Sequence, residues 1–290
     1  ERQNGPVRLG WGGAPAPRGT GPALAAVACS AVLAGCAGIA PKGMPVQATA
    51  AQGRFQVSLS PHVVAEFQKH GLNLPAITRS SLARVAALLP GPSARVALVV
   101  GDPAQILGAS GVSQFTDPES GAITIGFFGT WSFEPAGIEL SLPRALAHEA
   151  LRSVRVLRGP GLGTTLSDQL VEEGLASAFD EAAFPGTSDP WVGALSPSEE
   201  CRQWQQLTPA LGETGLFDQV MFGGPVQSSK LKEDWVPALT GMAIGYRLAA
   251  AYLARHPKET WAELAVTPSR SIIASSGYRP CATSAMPLTK

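Results

Sequence analysis

His148 and Glu149 stand side by side in the run Leu-Pro-Arg-Ala-Leu-Ala-His-Glu-Ala-Leu-Arg-Ser-Val-Arg, residues 142–155. An imidazole offers a lone pair to a metal, and a carboxylate beside it can take a proton from metal-bound water. A helical hydrolytic centre of this kind needs a second imidazole one turn on, so that both rings leave the same face. The residue at that position is Arg152. A guanidinium stays protonated and has no lone pair, so it cannot ligate zinc and repels the cation. The other histidines, His62, His70 and His256, sit beside expected helix ends. There an imidazole more often faces solvent or offsets the helix dipole than binds a metal.

A further carboxylate comes from Leu170-Val171-Glu172-Glu173-Gly174-Leu175-Ala176. Neighbouring helix positions differ by about 100°, so one of Glu172 and Glu173 is expected to face the site and the other solvent. His148-Glu149, Glu173-Gly174-Leu175-Ala176 and Gly245-Tyr246-Arg247 ahead of an Arg-His-Pro stop together resemble bacterial predicted Zn-dependent proteases of the gluzincin type, over roughly residues 96–273. The pattern in that family is His-Glu-x-x-His followed by Glu-Gly-Leu-Ala. The resemblance implies a zincin-like α+β fold and a Zn cofactor. It also implies His148 as metal ligand, Glu149 as general base, Glu173 as third ligand and Tyr246 as stabiliser of the oxyanion.

Arg152 departs from that pattern. In the absence of a metal its planar fork suits the Glu173 carboxylate, and an Arg152–Glu173 ion pair is expected in place of the zinc. One reading is therefore a degenerate relative with reduced or no hydrolytic activity. A second is an active zinc metallopeptidase using His148, Glu173 and an unidentified third ligand. A third is a non-catalytic structural or peptide-binding lipoprotein. The partner or substrate is a peptide or protein.

The elements that position these residues follow from caps and periodicity. Ser141 and Pro143 open, and Gly159-Pro160-Gly161 closes, a helix over about 142–157. Ahead of it, strands are expected at 55–60, 94–100, 122–128 and 137–140, with helices at 61–69 and 77–89. After it come a helix over 166–182 capped by Thr164 or Thr165, an irregular stretch with short helices over 184–227, and an apolar helix over 236–255 stopped by His256-Pro257. Short helices at 259–264 and 269–273 complete the chain, giving an α+β fold with a small mixed sheet followed by a mainly helical part.

Composition narrows the function. Of 290 residues 45% are hydrophobic, enough for one core over 54–290, and 15% are charged with a net charge of zero, so no nucleic-acid partner is expected. The sequence holds no Gly-x-Ser-x-Gly elbow and no phosphate-binding loop. Arg8 and Arg18 precede an apolar run over 23–35, the length of a signal-peptide core rather than of a membrane span. Leu33-Ala34-Gly35-Cys36 resembles the bacterial lipobox. That resemblance implies a signal peptide over 1–35, lipidation of Cys36, a linker over 36–53 and a protein held in the cell envelope by its lipid, facing the periplasm or in the outer membrane if the cell is Gram-negative. Cys201 and Cys281 then form an even pair in an oxidising compartment, where a disulfide is expected; two separate buried thiols are the alternative.

Overall fold

Phe55, Val57 and Leu59 alternate with more exposed neighbours, as do Ala94, Val96 and Leu98. This period of two is what a strand with one face on the core requires. The computed structural model describes residues 47–48, 53–101, 112–127, 135–186, 189–233 and 235–281, all within the unit Pro45–Lys290. The expected signal peptide and Cys36 lie outside the described residues. Strands β1 (Gln47–Ala48), β2 (Phe55–Leu59), β3 (Ala94–Val100), β4 (Val112–Thr116) and β5 (Ile123–Phe127) form a sheet in the order β1-β2-β3-β5-β4. Pairs β2/β3 and β3/β5 are parallel, whereas β1/β2 and β4/β5 are antiparallel, so the sheet is mixed. Helices α1 (Pro61–Lys69) and α2 (Leu74–Leu88) lie between β2 and β3 in the chain.

The motif helix α3 spans Pro135–Arg158. It absorbs residues 137–140, expected as a strand, and places Ser141 and Pro143 inside it rather than at its start. Proline has no N–H to donate to the turn before it and is disfavoured there, which is why the sequence suggested a boundary. Burial of Ile138, Leu142, Ala145 and Leu146 against the core continues the apolar stripe through that point. The stripe, and not the backbone preference of one residue, sets the helix.

Helix α4 spans Leu166–Ala183, and Thr165 Oγ1 accepts from Asp168 N at 3.2 Å to cap it. Both Glu172 and Glu173 are buried, so the expectation that one would face solvent fails. Glu172 finds a partner on the far side, where Gly163 N donates to its Oε1 at 2.6 Å. Then follow α5 (Pro197–Leu207), α6 (Phe217–Phe222), a hairpin of β6 (Gly224–Pro225) and β7 (Trp235–Val236), and α7 (Thr240–Arg255). Helix α7 starts later than expected because Val236 pairs in the hairpin and Leu239 takes a left-handed φ of 63°. Helices α8 (Trp261–Val266) and α9 (Ser269–Ser276) end the described chain. Among the described residues no helix is long and apolar enough to cross a membrane.

Glycine in Glu173-Gly174-Leu175-Ala176 has a packing reason. A Cβ on Gly174 would run into the carbonyl oxygen of Gly245, and one on Gly245 into that of Leu170. The backbones of α4 and α7 thus meet where neither carries a side chain. Gly174→Ala should cost about 1–3 kcal/mol through overpacking, outweighing the better helix propensity of alanine of about 1 kcal/mol. Urea denaturation at pH 7 reads this directly, and an unchanged midpoint would show that the helices can slide apart.

Candidate functional site

Arg144, His148 and Arg152 follow one another at intervals of four along α3, so all three leave one face. Glu173 and Asp180, seven apart on α4, also share a face. The two helices pack so that the bases of one meet the acids of the other. His148 lies between two carboxylates, with Nε2 at 3.2 Å from Glu173 Oε2 and Nδ1 at 3.5 Å from Asp180 Oδ2. Arg152 Nη1 donates to Glu173 Oε1, and Arg152 Nε is 3.6 Å from Glu149 Oε2. At the other end Arg144 Nε donates to Asp180 Oδ1 at 2.9 Å, and Arg144 Nη2 donates to Asp189 Oδ2 at 2.6 Å. Thr116, from the edge strand β4, donates to Glu149 Oε2 at 2.6 Å. The result is one buried ladder of alternating charge from Asp189 to Thr116.

Burial penalises every charge in this ladder, and the partners decide which survive. Burial alone would lower the pKa of His148, but hydrogen bonds to Asp180 and Glu173 raise it to about 10. Burial would raise Glu173, yet Arg152 and His148 hold it down at about 2. Burial likewise opposes the charge on Arg152, whose pKa Glu173 and Glu149 nonetheless push above its ordinary value. Asp189 is pushed up to about 7 by burial and by the neighbouring Asp180, against the pull of Arg144. Glu172 is also raised to about 7, by burial, despite the Gly163 N–H.

The donor set does not fit zinc. His148 Nε2 and Glu173 share a point where a metal could sit, but the next group around it is the Arg152 guanidinium, which covers Glu173 Oε1. A cation with no lone pair cannot complete a coordination sphere. Among the described residues no group of three or more His, Cys, Asp and Glu is placed to hold a metal ion. His62 is exposed near the start of α1, His70 is the C-cap of α1 at 3.8 Å from Glu66, and His256 is the C-cap of α7 at 3.2 Å from Glu259. The Glu149 carboxylate, expected as general base, sits against Thr116 and Arg152.

Tyr246, expected beside the reacting oxygen, instead donates its hydroxyl to Glu181 Oε2. Burial and that carboxylate push its pKa up to about 12. Cys201 and Cys281 are joined in a disulfide with Cα atoms 4.7 Å apart. Sequence reasoning missed Arg144, Asp180, Asp189 and Thr116. The first two carried a signal, since Arg144 precedes His148 by one turn and Asp180 follows Glu173 by two. Asp189 and Thr116 arrive from other elements that no local spacing connects to the motif helix.

A family model described as predicted Zn-dependent protease (DUF2268) matches residues 75–274. The match takes in α3, α4 and the whole of the ladder. No curated protein and no solved structure matches the chain. Because the matched stretch covers most of its 290 residues, the chain belongs to the predicted Zn-dependent protease family.

Proposed function

We propose that this protein is an exported, lipid-anchored member of its family whose gluzincin-like zinc position has been taken by a guanidinium, and that it does not hydrolyse peptides. The observation that carries this reading is the Arg152 to Glu173 contact, in which a permanent cation sits on the oxygen a metal would need. Glu149 supports it as well, because a carboxylate already sharing Thr116 and Arg152 is poorly placed to take a proton from water. On this reading the protein holds a peptide or partner protein without chemistry. Export rests on Arg8, Arg18, the apolar run over 23–35 and the Leu33-Ala34-Gly35-Cys36 segment. The Cys201–Cys281 bond, of a kind that persists in oxidising compartments, is in keeping with a location in the cell envelope.

One feature favours an active zinc peptidase as the second reading. Asp180 backs Nδ1 of His148 while Nε2 points toward Glu173, the way a carboxylate orients a metal-ligating imidazole. Activity decides between the two readings. The parent and Arg152→His are assayed on a mixed peptide library with added zinc, and Glu149→Gln is placed in each background. No turnover by the parent and zinc-dependent turnover by Arg152→His that Glu149→Gln abolishes is the expected result. Turnover by the parent that requires Glu149 would overturn the proposal.

A further inference from the structure

We infer that the Cys201–Cys281 disulfide is a redox-sensitive clasp that sets how firmly the turn over residues 189–195 is held at the Arg144 end of the ladder. Cys281 is exposed on the segment that leaves α9, and its partner Cys201 sits 80 residues away on α5. Within that segment Tyr278 Oη donates to Glu200 Oε1 at 2.5 Å, and its ring meets Trp204 edge-on at 5.1 Å. Glu200 directly precedes Cys201, so a single turn of α5 provides both the covalent and the hydrogen-bonded hold. The other oxygen of Glu200 accepts from Arg247 Nη1 at 2.5 Å. Arg247 Nη2 in turn donates at 3.3 Å to the carbonyls of Val192 and Leu195. Asp189 at the head of the same turn takes Arg144 Nη2 at 2.6 Å, and Arg144 reaches Asp180 beside His148.

The physical case is one of effective concentration. Tyr278 is fixed at both ends, by α9 through Gly277 and by the disulfide, so its hydroxyl stays at Glu200 without competing against water. Gly277 leaves α9 with φ +63°, and a Cβ there would strike the Arg255 guanidinium, so glycine suits the point where the segment leaves the helix. Cutting the bond frees one end. Tyr278 then opens and water reaches a carboxylate that is only 5% exposed, which weakens the Glu200–Arg247 pair that aims Arg247 at the carbonyls of 192 and 195. The reductant is a dithiol. Its thiolate attacks the exposed Cys281 sulfur, the Cys201 thiolate leaves and takes a proton, and the second thiolate of the reductant closes on its own mixed disulfide. That last step releases Cys281 as a thiol, so the protein gains two electrons and two protons while the reductant ends as a cyclic disulfide.

Hydrogen exchange on the full-length oxidised protein, before and after dithiothreitol, tests the inference, with alkylation of both sulfurs verified by mass. Local opening makes amides of residues 189–195 and 277–281 exchange about tenfold faster or more while amides of α3 and α4 hold their rates. Tyr278→Phe, with the disulfide intact, should raise exchange over 189–195 in the same direction. Failure of dithiothreitol to release the thiols from the native fold would overturn the clasp. Unchanged exchange over 189–195 in either arm would also overturn it, as would a uniform rise through α3 and α4, which marks a general staple instead.

Discussion

Arg152→Ala is expected to lower the stability of the fold by about 3–5 kcal/mol, because it strands Glu173 as a buried carboxylate. Arg152 retains 18% of its side-chain exposure and Glu173 only 8%, so water can reach the arginine end of the pair but hardly the acid. Among the described residues His148 is then the cation left facing Glu173, and Glu149 also loses the guanidinium at 3.6 Å. The pH dependence has a fixed sign. Glu173 is depressed from 4.5 to about 2 in the fold, so its pairing contributes stability above pH 4.5 that is lost as pH falls through 2. The penalty of Arg152→Ala should therefore be full at pH 7 and smaller at pH 4. Removing both partners, as Arg152→Met with Glu173→Gln, should recover part of the loss, since Glu173 no longer stays buried as an unpaired charge while Glu149 still lacks its guanidinium. Urea denaturation of the parent and these two variants at both pH values measures this, and an unaltered midpoint for Arg152→Ala would show the pair to be incidental.

A loss of similar size, about 3–5 kcal/mol at pH 8, is expected for Arg144→Ala. Arg144 is the cation between Asp180 and Asp189, whose side chains are 5% and 14% exposed. Without it two carboxylates face each other with little solvent. Asp189 makes this cost rise with pH too, although its pKa is shifted the opposite way to that of Glu173. Its folded pKa of about 7 stands above the ordinary 3.8, so stability is greatest with the proton on and is lost as pH rises through 7. At pH 5 Asp189 is already neutral, so Arg144→Ala takes the guanidinium from Asp180 alone, which keeps His148 Nδ1 at 3.5 Å. The variant should then lose clearly less at pH 5 than at pH 8, whereas an equal loss at both would rule out Asp189 as a participant.

Much of this site was legible because it lies on two long helices. Residues at four-residue intervals reveal shared faces, and the Arg152–Glu173 pair follows from the charge of Arg152 together with the place the family resemblance gives Glu173. Caps such as Thr165 and stops such as His256-Pro257 locate helix ends to within a few residues. What escaped is what tertiary packing decides. In β4 the alternation is inverted, with Phe115 at 41% exposure and Thr116 fully buried against Glu149, so no apolar period marks that strand. Residues 137–140 are apolar and polar in turn, which a strand and one turn of helix satisfy equally. Glu172 is buried because Gly163, nine positions away, offers its N–H, a contact invisible to helix geometry.

Zinc content of the full-length protein tests the account at its centre. After dialysis against micromolar zinc and then metal-free buffer, elemental analysis should find well under one zinc per chain in the parent and about one in Arg152→His, where an imidazole replaces the guanidinium beside His148 and Glu173. One tightly held zinc per parent chain, lost on His148→Ala, would contradict a guanidinium standing in for the metal.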